Sequence, residues 1–317
     1  MSPNSWICLH PSNATQTTVS LDNRGLAYGD GFFTTMGVID GQILWLDYHQ
    51  QRLVSHAVAL QLQLDSFSLL MALKTHAKQL QQGMLKLIIT RAEQEVRGYG
   101  YTPNTGGGSA CEIWLKSSPM AITTARSLPL ADGQFIPLQP AASAICLSSQ
   151  IACLPPTLAG LKSLNRLDNV LASGELQAIK AKTLADTIKP SIAEGLLRDI
   201  SGHWVEGTMS NVFYQLVEEP VAKSSNRPHS QNNSNSNYLT QGQWYTPSMA
   251  QSGVAGVMRQ VIIDTLSTSN NPVIIRSLQD EDLPHLSQLF FCNALRGIMP
   301  MSSLRLLSGE VVSFEAI

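Results

Sequence analysis

An α+β chain of two domains is what the sequence predicts, a small α/β N-terminal one followed by a larger β-rich C-terminal one with helices. Three observations predict it. The 317 residues, 44% apolar, suffice for about two cores. β-favouring runs meet at a turn dipeptide in GFFTTMGVIDGQILWL, beside stretches with helical spacing. Strands and helices do not alternate in the regular way that a parallel βαβ sheet requires.

In order along the chain, two strand-like stretches open the first domain. Asp40-Gly41 then predicts a tight hairpin between its flanking runs. Asp47 is read as an N-cap, with Leu53, Ala57 and Leu60 of DYHQQRLVSHAVALQL at helical spacing. A second helix is expected over 67–82, with Gly83 as its C′ stop. MLKLIITR and CEIWLK read as strands around the loop AEQEVRGYGYTPNTGGGSA. The first domain thus takes residues 1–118, and the Pro-, Ala- and Ser-rich stretch 119–140 reads as a link. Residues 141–317 form the second domain: a strand in SAICLSSQ, a helix over 167–182, and a β-rich portion over 191–247. The helix VAGVMRQVIIDTL and the strands PVIIRS and LFFCNA follow. A low-complexity insert at about 219–240 has almost nothing to bury and reads as an enlarged hairpin loop.

Composition narrows the function classes. Charged residues are 14% and the net charge is −2, which argues against a nucleic-acid partner. No polybasic patch, apolar span or signal-peptide pattern points to a membrane, so the expected location is cytoplasmic. The five cysteines form no CxxC pair and the seven histidines no HExxH, so no metal is expected. The glycine-rich loop lacks the GK[ST] of a nucleotide cradle, and no GxSxG elbow occurs.

Several residues remain open to two readings. Lys162 lies among Leu158, Ala159, Leu161 and Leu164, where desolvation favours the neutral amine of Schiff-base chemistry. A lysine whose stem packs while its head reaches water is the commoner case. Glu206, in WVEGTMSNVF, is either an exposed hairpin acid or a carboxylate facing a buried cation, with Asn211 placed to orient a turn. SGVAGVMR offers backbone N–H groups at a helix start, suited to an anion, and FFCNA offers a second turn with Asn293 as a donor. Arg52 is either their charged partner or a solvated helix arginine. Arg91, Arg97 and Tyr99 together suit a carboxylate-bearing substrate, although arginines in surface loops are common.

The order of these segments carries more than any one of them. RGLAYGDGFFTT, HQQRL, ITR…RGY, GLKSLNRLDNVLA, EGTMSNVF, YTP…GVAGVMR and FFCNALRGIMP occur in the order found in fold-type IV pyridoxal-phosphate enzymes, and the chain resembles that family over most of its length. These are branched-chain aminotransferases, D-amino-acid aminotransferases and aminodeoxychorismate lyases. The resemblance implies the two-domain fold of that type and pyridoxal 5′-phosphate as cofactor. It implies that Lys162 links to the cofactor and that Glu206 faces its pyridine nitrogen. It also implies that Arg52, the backbone around Val254 and Ala255, and Asn293 with Ala294 hold the phosphate. Arg97 and Tyr99 match substrate-carboxylate positions of the D-amino-acid enzymes, and Arg91 a carboxylate-side arginine of the branched-chain enzymes.

Within the family, GLKSLNRLDNVLA, GVAGVMRQ and CNALRGIMP look most like the lyases, which implies conversion of 4-amino-4-deoxychorismate to p-aminobenzoate and pyruvate. Aminotransfer from D-amino acids or branched-chain amino acids on the same scaffold is the alternative. Phe33, where D-amino-acid enzymes carry a tyrosine, weakens its first form. The Asn/Ser-rich insert and Arg296-Gly297 depart from the pattern. Relatives imply a homodimer that shares residues between its sites.

Overall fold

The computed structural model describes residues 6–10, 18–104, 108–122, 126–130, 135–183, 192–217, 239 and 242–314. Apart from Leu239, the insert lies outside them.

Five antiparallel strands form the first sheet: β1 (Trp6–His10), β2 (Gly31–Ile39), β3 (Gln42–Ile43), β4 (Gly83–Arg91) and β5 (Cys111–Pro119), in the order β1-β5-β4-β2-β3. A short helix, α1 (Arg24–Tyr28), precedes β2. Asp40 and Gly41 take φ 51° and 70° and join Ile39 to Gln42, the left-handed pair that a two-residue hairpin needs. Strand alternation puts Phe32, Met36, Leu85, Leu87, Ile89, Ile113 and Leu115 on one face, where Leu53, Leu69 and Leu73 cover them. These come from α2 (Leu46–Ala59) and α3 (Ser66–Leu80). Full burial of each such side chain stabilises the fold by roughly 1.5–3 kcal/mol.

Two expectations here need correction. Trp45 at φ 58°, not Asp47, is the N-cap of α2, and Asp47 sits in the first turn, where its charge suits the helix dipole. Helix α3 ends at Leu80 and Gln81 takes the left-handed turn at φ 63°, so Gly83 opens β4 instead of stopping a helix. Gly83 is required for another reason: a Cβ there would stand 2.3 Å from the Ser118 carbonyl oxygen.

Among the described residues the second sheet has eleven strands. They are β6 (Arg126–Pro129), β7 (Phe135–Leu138), β8 (Ala142–Ile151), β9 (Ile192–Asp199), β10 (Trp204–Gly207), β11 (Asn211–Leu216), β12 (Tyr245–Thr246), β13 (Ile274–Ile275), β14 (Leu286–Asn293), β15 (Gly297–Arg305) and β16 (Val311–Ser313). Because β14 pairs with both β11 and β15, the path β11-β10-β9-β8-β15-β14 closes on itself. Alternate residues fill the ring: Ala144, Cys146, Leu196, Val212, Tyr214, Leu289, Phe291, Met299 and Met301 form one cluster. Their neighbours face outward onto helices. Phe213, Phe290, Cys292 and Ile298 pack on α5 (Val257–Leu266), while Ile145, Leu147 and Leu197 pack on α4 (Leu167–Thr183).

The stretch 119–140, expected as a link, contributes β6 and β7, and β7 joins β15. Helix α5 starts at Val257, three residues beyond the expected start, and the strand expected over 272–277 shrinks to the exposed pair Ile274–Ile275. Trp45 reaches from the first sheet's end into the α5 cluster, which ties the two halves together.

Candidate active site

Lys162 is fixed through its backbone. Its carbonyl accepts from Phe33 N (3.0 Å), Leu164 N donates to Gly31 O (3.0 Å), and its own N–H donates to His56 Nε2 (2.9 Å). The segment therefore lies along the start of β2, entered through Gly160 at φ 75°. The amine sits 4.6 Å from the Phe33 ring centre. Burial pushes it down to about 8; Arg52, Arg166 and Lys86 act the same way, and Glu206 opposes them. A lysine near 8 supplies a substantial neutral fraction at physiological pH, as Schiff-base chemistry needs.

Glu206 is buried, not an exposed hairpin acid, and burial raises its carboxyl. Oε2 accepts from Val254 N (2.8 Å) and Oε1 from Asn169 Nδ2 (3.3 Å). Lys162 and Glu206 feel each other's charge, which places them within electrostatic reach of one another. Asn211, expected to orient a local turn, reaches further: its Nδ2 donates to Val254 O (2.8 Å). That turn can approach because Gly253, at φ 77°, has no side chain; a Cβ would meet Val205 and Glu206 at 2.8 and 3.0 Å.

The anion donors are displaced from where the sequence placed them. Val254 N is taken by Glu206, and Ala255 N donates to Gly160 O (2.9 Å). The N–H groups of Val257 and Met258, in the first turn of α5, find no acceptor among the described residues, and no side chain caps the helix. Both residues are buried. Arg52 reaches this end of α5 through Nη2, which donates to Ala255 O (2.6 Å). That is its one hydrogen bond by the side chain among the described residues, where it also makes no ion pair. Burial lowers the guanidinium to about 10, so it keeps its charge. A buried, unneutralised cation beside orphan helix N–H groups is the chemistry of a phosphate cup.

Asn293 closes its own turn, with Oδ1 accepting from Leu295 N (3.1 Å) and Arg296 N (2.8 Å), while Nδ2 donates to Met209 O (3.4 Å). Ala294 packs on the cluster that holds Val257 and Met258. Asn293 thus braces its own turn.

The expected substrate residues separate. Arg91 is buried and directs Nε and Nη2 to Asp30 (2.9 and 3.3 Å), Nη2 to Leu60 O (2.7 Å) and Nη1 to Gln61 O (3.2 Å). With four of its five N–H groups occupied and Tyr101 stacked on it, it braces the fold, which corrects the expected substrate role. Arg97 and Tyr99 are exposed on the loop after β4. Arg24 holds that loop through Gly98 O (3.4 Å) and Tyr99 O (3.2 Å).

His56, Asn169 and Arg166 went unnoticed in the sequence. His56 lies one helical turn after Arg52, a spacing that puts both on one face and was available to find it. Burial drives His56 to about 3, aided by Arg52, Arg166 and Lys162, so it stays neutral and its Nε2 accepts. Arg166 touches Asn169 Oδ1 (3.4 Å); both lie inside the motif GLKSLNRLDNVLA, where no separate role was read for either.

The family model for amino-transferase class IV matches residues 31–304. The chain is 25% identical over 291 residues to the aminodeoxychorismate lyase of Vibrio harveyi, covering 91% of this chain and 88% of that protein. It is 26% identical over 303 residues to a putative branched-chain-amino-acid aminotransferase of Methanocaldococcus jannaschii, with 94% and 86% covered. The crystal structure of 4-amino-4-deoxychorismate lyase from Pseudomonas aeruginosa superposes with a TM-score of 0.68 at 29% identity, covering 94% of this chain and 90% of that one.

Proposed function

The chain belongs to the amino-transferase class IV family, with the fold-type IV architecture, and from that premise we propose that it is a lyase converting 4-amino-4-deoxychorismate to p-aminobenzoate and pyruvate. What supports this most is the depressed amine of Lys162 within electrostatic reach of the buried acid Glu206. The lyase relatives from Vibrio harveyi and Pseudomonas aeruginosa support this choice within the family.

The family's cofactor is pyridoxal 5′-phosphate, and the donor set fits it. Arg52 and the Val257 and Met258 N–H groups suit its phosphate, Glu206 its ring nitrogen, and Lys162 its aldehyde. When bound, the cofactor supplies an aldehyde that captures the substrate amine and a ring that accepts electrons. Lys162 Nζ, neutral, takes the proton from the ring carbon that bears the amine. The adjacent carbon–oxygen bond breaks, the ring becomes aromatic, and the departing enol gains a proton on its methylene carbon to give pyruvate. His56 holds the Lys162 backbone, and the Phe33 ring flanks the amine. Glu206 keeps negative charge where the ring nitrogen must stay protonated. Aromatisation drives the elimination, so the protein's main contribution is placement and charge.

The proposed enzyme is a cytoplasmic homodimer. No helix among the described residues is long and apolar enough to cross a membrane. Leu167, Val170 and Leu171 leave an apolar face of α4 exposed near Lys162, as does Leu26 on α1. Arg97 and Tyr99, turned to solvent, are available to a second copy's site. Supplying 4-amino-4-deoxychorismate and measuring p-aminobenzoate and pyruvate in equal amounts tests the activity. The likeness to the archaeal protein favours aminotransfer as a second reading; keto-acid formation from D-alanine or branched-chain amino acids, without p-aminobenzoate, would select it.

A further inference from the structure

The first sheet has a second face, opposite α2 and α3. The register places Phe33, Ile88 and Trp114 in one row across β2, β4 and β5, and Thr35, Lys86 and Lys116 in the next row. None of these belongs to the core under the helices. The first row is apolar. The second sets two lysines directly opposite each other, an arrangement that destabilises a sheet through like-charge repulsion. No acid pairs with either lysine among the described residues. Glu112, one row beyond Trp114 on the same face, is committed to Asn23 Nδ2 (3.0 Å) and Trp114 Nε1.

This platform adjoins the reacting amine. The Lys86 amine lies 5.5 Å from the centre of the same Phe33 ring that Lys162 approaches to 4.6 Å, and its charge is felt at Lys162. An apolar row beside a cationic row offers a flat ring something to lie on and its carboxylate something to meet. A sheet pays the repulsion of two facing lysines without local return unless a ligand supplies the negative charge.

We propose that Lys86 and Lys116 form a carboxylate subsite that selects ring dicarboxylates, the ring lying along Phe33 and Ile88. This rests on the lyase reading and deepens it, since 4-amino-4-deoxychorismate carries two carboxylates. Lys86 is the nearer contact, and Lys116 reinforces it from the neighbouring strand about 5 Å away.

The test uses the cofactor-loaded enzyme and two stable probes, 3-(carboxymethoxy)benzoate and benzoate, titrated by calorimetry. The wild type binds the dicarboxylate at least about tenfold tighter than benzoate. Lys86→Met and Lys116→Met each remove most of that preference, leave benzoate binding unchanged, and Lys86→Arg restores it. Thermal midpoints separate a ligand site from a brace: Lys116→Met, relieved of repulsion, melts no lower than the wild type. Undiminished preference in both methionine variants overturns the subsite, as does a fall in midpoint with loss of benzoate binding. The two readings fail separately. No p-aminobenzoate from the wild type, with the preference intact, removes the lyase and leaves a dicarboxylate site; full lyase turnover without any preference removes the subsite alone.

Discussion

Arg52 and Arg91 are both buried arginines of the N-terminal half, and their surroundings are opposite. Arg91 ends β4 with its donors spent on Asp30, on the Leu60 and Gln61 carbonyls, and with its face on Tyr101. Among the described residues Arg52 has one side-chain hydrogen bond, to a carbonyl, and no ion pair, and its charge is felt at His49, His56 and Lys162. A guanidinium that the protein has already neutralised holds the fold. One left positive in a low-dielectric pocket keeps a place for a ligand's negative charge. Both residues looked like ligand-binding arginines in the sequence, and only the count of satisfied donors tells them apart.

The largest effect is expected at the amine on the unsatisfied side, Lys162. Lys162→Ala should lower p-aminobenzoate formation at least about a thousandfold and abolish the visible absorbance of the lysine-linked cofactor. Full turnover in that protein would remove the chemical premise. Glu206→Gln should bind cofactor yet turn over about a hundredfold more slowly; an unchanged rate would detach Glu206 from the ring nitrogen.

The sharpest contrast comes from exchanging the two arginines for methionine. Arg91→Met leaves Asp30 half-paired and two carbonyls bare, and should cost about 3–5 kcal/mol in denaturant unfolding, with cofactor affinity intact in the folded fraction. Arg52→Met should weaken cofactor binding at least about tenfold while the cofactor-free protein unfolds at or above the wild-type midpoint. If the two phenotypes are interchanged, donor saturation is the wrong criterion.

Titration gives the smallest effects. In the cofactor-free protein, capture of an aldehyde at Lys162 should rise with a midpoint near pH 8, well below that of an ordinary lysine. His49 and His56, both near 3 when folded and near 6.5 when unfolded, stay neutral in the native state. Below pH 6.5 the unfolded chain binds protons that the native state refuses. Their contribution is therefore fully present above about 6.5 and lost as pH falls towards 3. His56→Gln should show a shallower loss of unfolding midpoint between pH 6.5 and 4 than the wild type.

The residues of the proposed site could be picked out because they are tied to chain order. Lys162 after an apolar run, Glu206 before a strand, Arg52 on the helix after the hairpin, and the turn before α5 are local patterns, and their succession identified the family. What failed was placement at the scale of one turn. The resemblance implied the backbone around Val254 and Ala255 as phosphate donors, next to an expected helix start. That helix starts at Val257, and the two earlier N–H groups serve Glu206 and Gly160. Arg91 failed for a different reason: Asp30, Leu60 and Gln61 lie 61, 31 and 30 residues away in the chain, and their convergence on one guanidinium follows from strand pairing alone.

By itself the sequence determined the alternation of β2 and β4, the Asp40-Gly41 turn, the helical stripes and the order of the reactive motifs, because each depends on residues within a few positions of one another. Tertiary structure decided which charges are neutralised. It closed the ring of β8 to β11, β14 and β15, folded residues 126–129 and 135–138 into that sheet, and brought Glu206 and Arg52 within electrostatic reach of Lys162. Desolvation and Coulomb interaction depend on distances in space, and those arise from contacts between segments that the chain order leaves far apart.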